Sequence, residues 1–308
     1  MELRTVGDSG LKVSEIGLGC NNFGTRMNMA EAEAVVCAAL DAGVTLIDTA
    51  DVYGQGKSEE MLGAALEGRR HDVVLATKFG LAMGAKRGGS RRYVMEAVEA
   101  SLRRLKTDYI DLYQFHSPDA DTPIEETLRA LDDLVSQGKV LYLGNSNFTG
   151  WRIADADWTA RNSGRNRFIS AQNHYNLIER GIEEEVTPAC ERFGLGLLPY
   201  FPLAGGMLSG KYRRGEPAPQ GTRLAFWGPR GEKQLSNENF DRLDRLTAWA
   251  AERGHTLLEL AFAWLLGHKL VPSVIAGAST PEQVKLNVAT AAWRLTPAEV
   301  AEVAQLAA

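Results

Sequence analysis

The sequence predicts a (β/α)8 barrel, also called a TIM barrel, with one domain spanning residues 1–308. Short apolar runs alternate with longer amphipathic segments along the chain, as they do in successive βα units. The runs show little alternation of apolar and polar residues, which is typical of parallel strands buried on both faces. Eight runs are present, and a chain of 308 residues is long enough for one such barrel. The predicted strands are Ile16 to Gly19, Val44 to Ile47, Val73 to Ala76, Ile110 to Tyr113, Val140 to Leu143, Phe168 to Ala171, Leu195 to Leu198 and Val271 to Ile275.

The segment before the first predicted strand favours a β-hairpin. It extends from Leu3 to Ile16 and turns at Asp8-Ser9-Gly10, a combination typical of tight turns. We expect this hairpin to plug the N-terminal end of the barrel.

Three predicted helices begin with the same signal. Thr122, Thr280 and Thr296 are each followed by a proline and, three positions on, by an acidic or amide residue. This pattern predicts a threonine N-cap with proline at the first helical position. Gly138 is predicted to end the first of these helices in a left-handed conformation.

Residues 204–237 are rich in glycine and proline and have no regular periodicity. Long segments of this kind are usually binding loops or lids. Because barrel enzymes place their sites at the C-terminal rim, we expect long loops there, with this segment among them.

Composition argues against several classes of protein. A net charge of -5 predicts no nucleic-acid partner, and the lack of 18 consecutive apolar residues predicts no membrane partner. Cys20, Cys37 and Cys190 have neither disulfide-framework nor zinc-site spacing, and no histidine pair has metal-binding spacing, so no metal is predicted. These features predict a cytoplasmic protein, and a monomer is the default expectation.

Four polar residues follow consecutive predicted strands, where a barrel builds its active site. Asp48 follows the second strand and Tyr53 lies in the next loop, while Lys78 and His116 follow the third and fourth. Each residue alone has an ordinary structural explanation. Together they form a matched set, which predicts a catalytic group.

The chemistry of this set is specific. A lysine in a partly desolvated pocket must be paired to stay charged, and Asp48 can supply the carboxylate. Beside Tyr53, the Lys78 cation is expected to lower a phenol pKa that starts near ~10. Each pKa unit corresponds to ~1.4 kcal/mol of free energy. Tyr53 would then be the general acid, and His116 would orient a carbonyl oxygen.

The segments Asp48-Thr49-Ala50-Asp51-Val52-Tyr53-Gly54, Ala76-Thr77-Lys78 and Gln114-Phe115-His116-Ser117-Pro118-Asp119 together resemble the aldo-keto reductase superfamily. The similarity spans nearly the whole chain. It implies that Asp48, Tyr53, Lys78 and His116 form the catalytic tetrad of a nicotinamide-dependent reductase. Ser146, Asn147 and Gln172 would hydrogen-bond the nicotinamide carboxamide, and Tyr200 would stack on the nicotinamide ring. The other implied cofactor-binding residues are Phe201, Pro202, Leu203, Gly205, Ser209 and Lys211 near the pyrophosphate, with Arg223, and Gly277, Ser279, Gln283 and Asn287 at the adenosine end.

The cofactor implied by the resemblance is NADPH, with NADH as the alternative. Phe201 stands where many members have serine, and Leu286 stands where an acidic adenine contact is common. Residues 277–280 lack the basic residue that many members direct at the 2′-phosphate. Arg223 or Lys285 could substitute for it electrostatically, with a surface role as the alternative for both. A Rossmann fold is not expected, because Gly17, Gly19 and Gly24 do not have G-x-G-x-x-G spacing.

An apolar substrate pocket is expected beside the predicted catalytic strands. Its candidate walls are Phe23, Val52, Phe79, Phe226 and Trp227.

The favoured function is reduction of a small-molecule aldehyde or ketone to an alcohol. The alternative is a nicotinamide-binding regulatory protein, since potassium-channel β subunits share this motif set. The start of the chain almost at the hairpin is taken to argue against that alternative. A barrel hydrolase is disfavoured, because a metal site or a facing pair of carboxylates is missing.

Overall fold

A computed structural model describes residues 1–308, with eight parallel strands that form one sheet. An antiparallel hairpin of β1 and β2 precedes them. The strands are β1 (Leu3–Thr5), β2 (Lys12–Ser14), β3 (Ile16–Gly19), β4 (Leu46–Asp48), β5 (Val74–Phe79), β6 (Ile110–Phe115), β7 (Val140–Ser146), β8 (Phe168–His174), β9 (Gly196–Tyr200) and β10 (Val274–Gly277).

The sheet order is β10-β3-β4-β5-β6-β7-β8-β9, and the two outer strands, β9 and β10, lie beside each other. The sheet therefore forms a nearly closed barrel, which confirms the predicted (β/α)8 class. The helices are α1 (Met29–Asp41), α2 (Lys57–Ala65), α3 (Arg91–Leu105), α4 (Ile124–Ser136), α5 (Gly150–Asn162), α6 (Val186–Phe193), α7 (Arg223–Trp227), α8 (Pro229–Gln234), α9 (Asn237–Ala251), α10 (Leu257–Leu266), α11 (Pro281–Ala289) and α12 (Pro297–Leu306).

The carboxyl ends of several strands extend further than predicted. β5 continues to Phe79, β7 to Ser146 and β8 to His174, so Lys78 lies within its strand and not after it. The apolar runs underestimated these strands because the barrel interior accepts polar side chains when they hydrogen-bond to one another.

Two of the three predicted threonine N-caps are confirmed. The side chains of Thr280 and Thr296 accept the backbone N–H groups of Gln283 and Glu299. The prediction for Thr122 was wrong, because Pro123 has φ -56° and ψ 134° and stays outside the helix. Thr122 is therefore one residue too far away to cap α4.

The hairpin closes the N-terminal end of the barrel, as predicted. Val6, Leu11 and Val13 are buried in one apolar cluster with side chains from the strands. The strand residues in this cluster are Leu46, Ala76, Leu112, Leu198 and Ile275.

Strand periodicity decides what lies above that apolar layer. Asp48, Lys78 and Gln114 lie two residues beyond Leu46, Ala76 and Leu112, so they point into the barrel on the same face. The adjacent residues Phe79, Tyr113 and Phe115 point outward from the barrel. The Phe79 ring stacks on the other two, with centroids 4.7 Å from Tyr113 and 5.0 Å from Phe115. The barrel thus carries a polar layer over an apolar one.

Residues 204–237 are more ordered than their composition predicted. A tight turn at Ala204–Ser209 is followed by the short helices α7 and α8. Thr222 caps α7 through the backbone N–H of Ala225, and Pro229 occupies the first turn of α8. None of the helices in the protein is both long and apolar enough to cross a bilayer.

Candidate active site

The centre of the site is an ion pair between Lys78 and Asp48. Lys78 is fully buried, and its Nζ donates to Asp48 Oδ2 at 2.6 Å and to the Thr49 carbonyl at 2.8 Å. Burial lowers the pKa of Lys78, but the nearby Asp48 and Tyr53 outweigh it, so the pKa lies above its ordinary value. Lys78 is therefore a cation at neutral pH although water does not reach it.

The second oxygen of Asp48 is held by two glutamines. Asp48 Oδ1 accepts from Gln114 Nε2 at 3.1 Å and from Gln172 Nε2 at 2.9 Å. Gly144 provides the space for this cluster, because a Cβ there would lie 2.4 Å from Ser170 Oγ and 3.0 Å from Gln114 Cγ. The carboxylate is thus fixed from both sides.

Tyr53 reaches the ion pair from the loop that follows β4. Its hydroxyl lies 3.5 Å from Lys78 Nζ, and its ring centroid lies 5.1 Å from the same atom. The loop passes close to the preceding rim loop, since a Cβ on Gly24 would lie 2.4 Å from Lys57 Cβ. The two loops therefore approach each other closely at Gly24.

The expected lowering of the Tyr53 pKa was wrong in direction. Burial raises the pKa of Tyr53 above 10, and this effect exceeds the lowering caused by Lys78. Part of the reason is that Asp48 also raises this pKa and so offsets the charge of Lys78. Tyr53 consequently holds its proton throughout the neutral range.

His116 stands on the other side of Tyr53, with ring centroids 5.9 Å apart and nearly perpendicular planes. Burial, aided by the Lys78 charge, lowers the pKa of His116 to about 3, so the imidazole is neutral. Its backbone is fixed by a bond from its N–H to Phe79 O and by one from Asn147 Nδ2 to its carbonyl. Its Nδ1 is buried and has no hydrogen-bond partner in the protein.

Ser146, Asn147 and Gln172 lie together beside this group. Ser146 Oγ donates to the Gln172 carbonyl at 2.9 Å and accepts from Asn147 Nδ2 at 3.1 Å. Gln172 Nε2 uses its two hydrogens on Asp48 and on Gln114 Oε1, which leaves Gln172 Oε1 as the atom able to accept from a ligand.

Tyr200 ends β9 above these residues. Its hydroxyl donates to Asn147 Oδ1 at 2.8 Å. The next residue, Phe201, has a left-handed φ of 52°, and its ring packs edge-on against Trp227 with centroids 5.3 Å apart. Aromatic rings therefore line one side of the barrel mouth.

Positive charge collects at the next part of the rim. Arg223 Nη2 donates to Asn21 Oδ1 at 3.0 Å and Asn22 Oδ1 at 2.8 Å, and the guanidinium lies 5.2 Å from the centroid of the Phe201 ring. Burial, then the charge of Arg26, lowers the pKa of Arg223, and burial, Arg223 and Arg26 lower the pKa of Lys211. None of the three cations has a carboxylate partner. Cations that repel one another without counterions favour an anionic ligand.

The residues predicted around a pyrophosphate share one turn. A Cβ on Gly205 would lie 2.9 Å from Trp227, and Ser209 Oγ donates to the Gly206 carbonyl at 2.8 Å. Pro202 is buried and Leu203 is half-buried beside this turn.

The predicted adenosine end lies at β10 and the start of α11. Gln283 Oε1 accepts from both the N–H and the hydroxyl of Ser279, at 2.9 and 3.0 Å, while Asn287 is buried. A Cβ on Gly277 would lie 3.8 Å from Arg223 Nη2, so this end adjoins the cationic cluster.

The predicted pocket walls divide into two groups. Phe23 and Phe79 are fully buried in the apolar core, so the structure removes them from the pocket. For Phe79 the reason is that successive side chains of a strand point to opposite faces: Lys78 points into the barrel, so Phe79 points outward. Val52 and Trp227 are half-buried, and Phe226 is 70% exposed.

Two contributors were missed by sequence reasoning. Gln114 was not singled out, although it lies two residues beyond the inward-facing Leu112 and two before His116. Arg26 was missed as well, and its side chain bonds to the Gly221 carbonyl across the rim. The alternation of side chains along β6 could have identified Gln114, whereas no local sequence signal pointed to Arg26.

The chain is similar over nearly its whole length to known proteins. Residues 15–308 match the Aldo/keto reductase family. A relative from Oryza sativa subsp. japonica, named probable voltage-gated potassium channel subunit beta, is 36% identical over 94% of this chain and 90% of its own. A relative of the same name from Arabidopsis thaliana is 35% identical with the same coverage. Versiconal hemiacetal acetate reductase from Aspergillus parasiticus is 35% identical over 97% of this chain and 95% of its own. Because residues 15–308 match this family and the chain folds as a (β/α)8 barrel, the chain belongs to the aldo/keto reductase family.

Proposed function

We propose that this protein reduces small aldehydes or ketones to alcohols with NADPH, with NADH as the alternative cofactor. The observation that carries the proposal is the buried Lys78 ammonium, 2.6 Å from Asp48 and 3.5 Å from the Tyr53 hydroxyl. A phenol next to a water-excluded cation can release its proton to a substrate because the phenolate that forms is stabilised.

The residues fit a dinucleotide. The cations Arg26, Lys211 and Arg223 suit phosphate groups, and Gln172 Oε1 and Ser146 suit a carboxamide. When bound, the reduced nicotinamide supplies a hydride, with its two electrons, to the carbonyl carbon. The adenosine end supports NADPH only through the nearby Arg223, so both cofactors need to be compared.

The protein's own part in the reaction is proton transfer. Tyr53 gives its hydroxyl proton to the carbonyl oxygen as the carbon is reduced, which yields an alcohol and a phenolate. Lys78 stabilises that phenolate, and Asp48 keeps Lys78 in place. Neutral His116 carries one N–H, with which it can orient the carbonyl oxygen. Tyr53 regains its proton from water.

The test is Tyr53→Phe, assayed with NADPH and NADH on aromatic aldehydes. We expect turnover to fall by about 10²–10⁴-fold, as for loss of a general acid, with the cofactor Kd unchanged. Tyr109→Phe is the matched control, because its hydroxyl bonds only to His71 on the surface. Full activity of Tyr53→Phe would disprove the assigned role.

A second candidate is a nicotinamide-binding regulatory protein. It is favoured by the two plant relatives named as channel β subunits, at 36% and 35% identity. A panel of aldehydes, ketones and quinones separates the two. Tight cofactor binding by the wild type with no turnover on any of them would favour the regulatory function.

A further inference from the structure

The proposed chemistry leaves a parallel stack of two rings unexplained. His174 and Tyr200 lie with their ring centroids 5.3 Å apart and their planes 7° from parallel. They are partners in register at the carboxyl ends of β8 and β9, so both side chains stand at the barrel mouth. The imidazole stacks, offset, on one face of the Tyr200 ring.

Asn176 holds this imidazole in place. Asn176 is fully buried, and its Oδ1 accepts from the backbone N–H groups of Ile178 and Glu179, both at 2.9 Å. Its Nδ2 therefore faces the other way and donates to His174 Nε2 at 3.2 Å and to the Phe201 carbonyl at 2.9 Å. One buried amide thus fixes both the histidine ring and the chain directly after Tyr200.

The stacked imidazole is neutral. Its Nε2 accepts a hydrogen from Asn176, so its own hydrogen is on Nδ1. Burial lowers the pKa of His174 and Arg230 lowers it further, against the opposing effect of Glu179. A neutral ring supports Tyr200 without placing a charge beside the cofactor site.

We propose that His174 is a positioning residue that acts through Tyr200, holding its ring so that the face away from the imidazole receives the nicotinamide. The bond from the Tyr200 hydroxyl to Asn147 fixes the far end of the ring, and the His174 stack fixes its tilt. This inference rests on the proposed function, because it takes Tyr200 as the nicotinamide platform.

The test is titration of His174→Ala with NADPH, followed by fluorescence and compared with wild type. We expect the Kd to rise by about 2- to 12-fold, the effect of losing one aromatic pair. His174→Phe should restore binding because a ring is again available, whereas His174→Gln should behave like His174→Ala. His268→Ala is the matched control, since His268 packs against Trp264, outside this stack.

The outcomes are distinguishable. A Kd for His174→Ala equal to that of wild type, or a His174→Phe variant as weak as His174→Ala, would overturn the inference alone. Wild-type protein that binds neither NADPH nor NADH would overturn the proposed function as well. Thermal melting of each variant identifies any that fails to fold, and His174→Gln then replaces His174→Ala.

Discussion

Two buried aspartates three residues apart, Asp48 and Asp51, have opposite environments. Asp48 is 3% exposed, points into the barrel, and receives hydrogen bonds from Lys78, Gln114 and Gln172. Asp51 is 1% exposed, its charged neighbours are on the outer helices α2 and α3, and its Oδ1 has no hydrogen-bond partner. Both oxygens of Asp48 are thus hydrogen-bonded, whereas Asp51 accepts from Val52 and Tyr93 but keeps one oxygen without a partner.

The difference shows that a nearby cation does not by itself keep the pKa of a buried carboxylate low. Arg104 lies close to Asp51, but its guanidinium is bonded to Glu59 at 2.7 and 2.6 Å. Burial, and then the charge of Glu59, raise the pKa of Asp51 to about 7. Asp51 therefore carries its proton below neutral pH, while Asp48 has a dedicated lysine and two amides.

The largest expected effect comes from removing the cation of Asp48. Lys78→Met would leave that carboxylate buried without its partner, which costs about 3–5 kcal/mol of the free energy of unfolding. Urea denaturation of the purified protein measures it. Asp48→Asn/Lys78→Met is the control, since it removes both charges and should recover part of the loss. A single variant as stable as wild type would contradict the comparison.

The next effect concerns Asp51 and is pH-dependent. Because the folded-state pKa of about 7 exceeds the ordinary aspartate pKa of 3.8, the folded state binds more protons than the unfolded state between these values. Stability must then fall as pH rises from 4 to 7, by roughly 2–3 kcal/mol between pH 5 and 8. Asp51→Asn should abolish that fall, measured by urea denaturation at both pH values.

Asp157→Asn is the matched control for Asp51→Asn. Asp157 is equally buried but accepts from Arg161 at 2.5 Å and from Arg167 at 2.8 Å. Its substitution should destabilise the protein at pH 8, where Asp51→Asn stabilises it. A pH profile unchanged by Asp51→Asn would show that Asp51 is ionised in the folded state.

The smallest effect is expected from one amide donor of Asp48. Gln114→Met removes the 3.1 Å bond to Asp48 Oδ1 and the acceptor of one Gln172 hydrogen, but leaves the bonds from Gln172 and Lys78 to Asp48. We expect a loss of about 1–2 kcal/mol in the free energy of unfolding. A loss as large as that of Lys78→Met would mean that the amides, not the cation, hold Asp48.

Sequence reasoning reached most of the fold because its signals were local. The apolar runs gave all eight strands, and Asp8-Ser9-Gly10 gave the hairpin turn. The predictions that were wrong had been made from adjacent residues alone. Thr122 had the right residues for an N-cap, yet the extended backbone of Pro123 delayed α4. Phe79 lies beside a predicted catalytic residue, yet its side chain is on the opposite face of the strand and packs in the apolar core outside the barrel.

The sequence by itself determined the barrel class and the candidates Asp48, Tyr53, Lys78 and His116, because periodicity and motif spacing are written along the chain. Only the tertiary structure decided their environments. Gln114 meets Asp48 from 66 residues away, and Arg223 meets Asn21 from 202 residues away. The tertiary structure also decided that Tyr53 keeps its proton and that Asp51 has no cation of its own. Desolvation and charge act through space, so residues distant in sequence set both results.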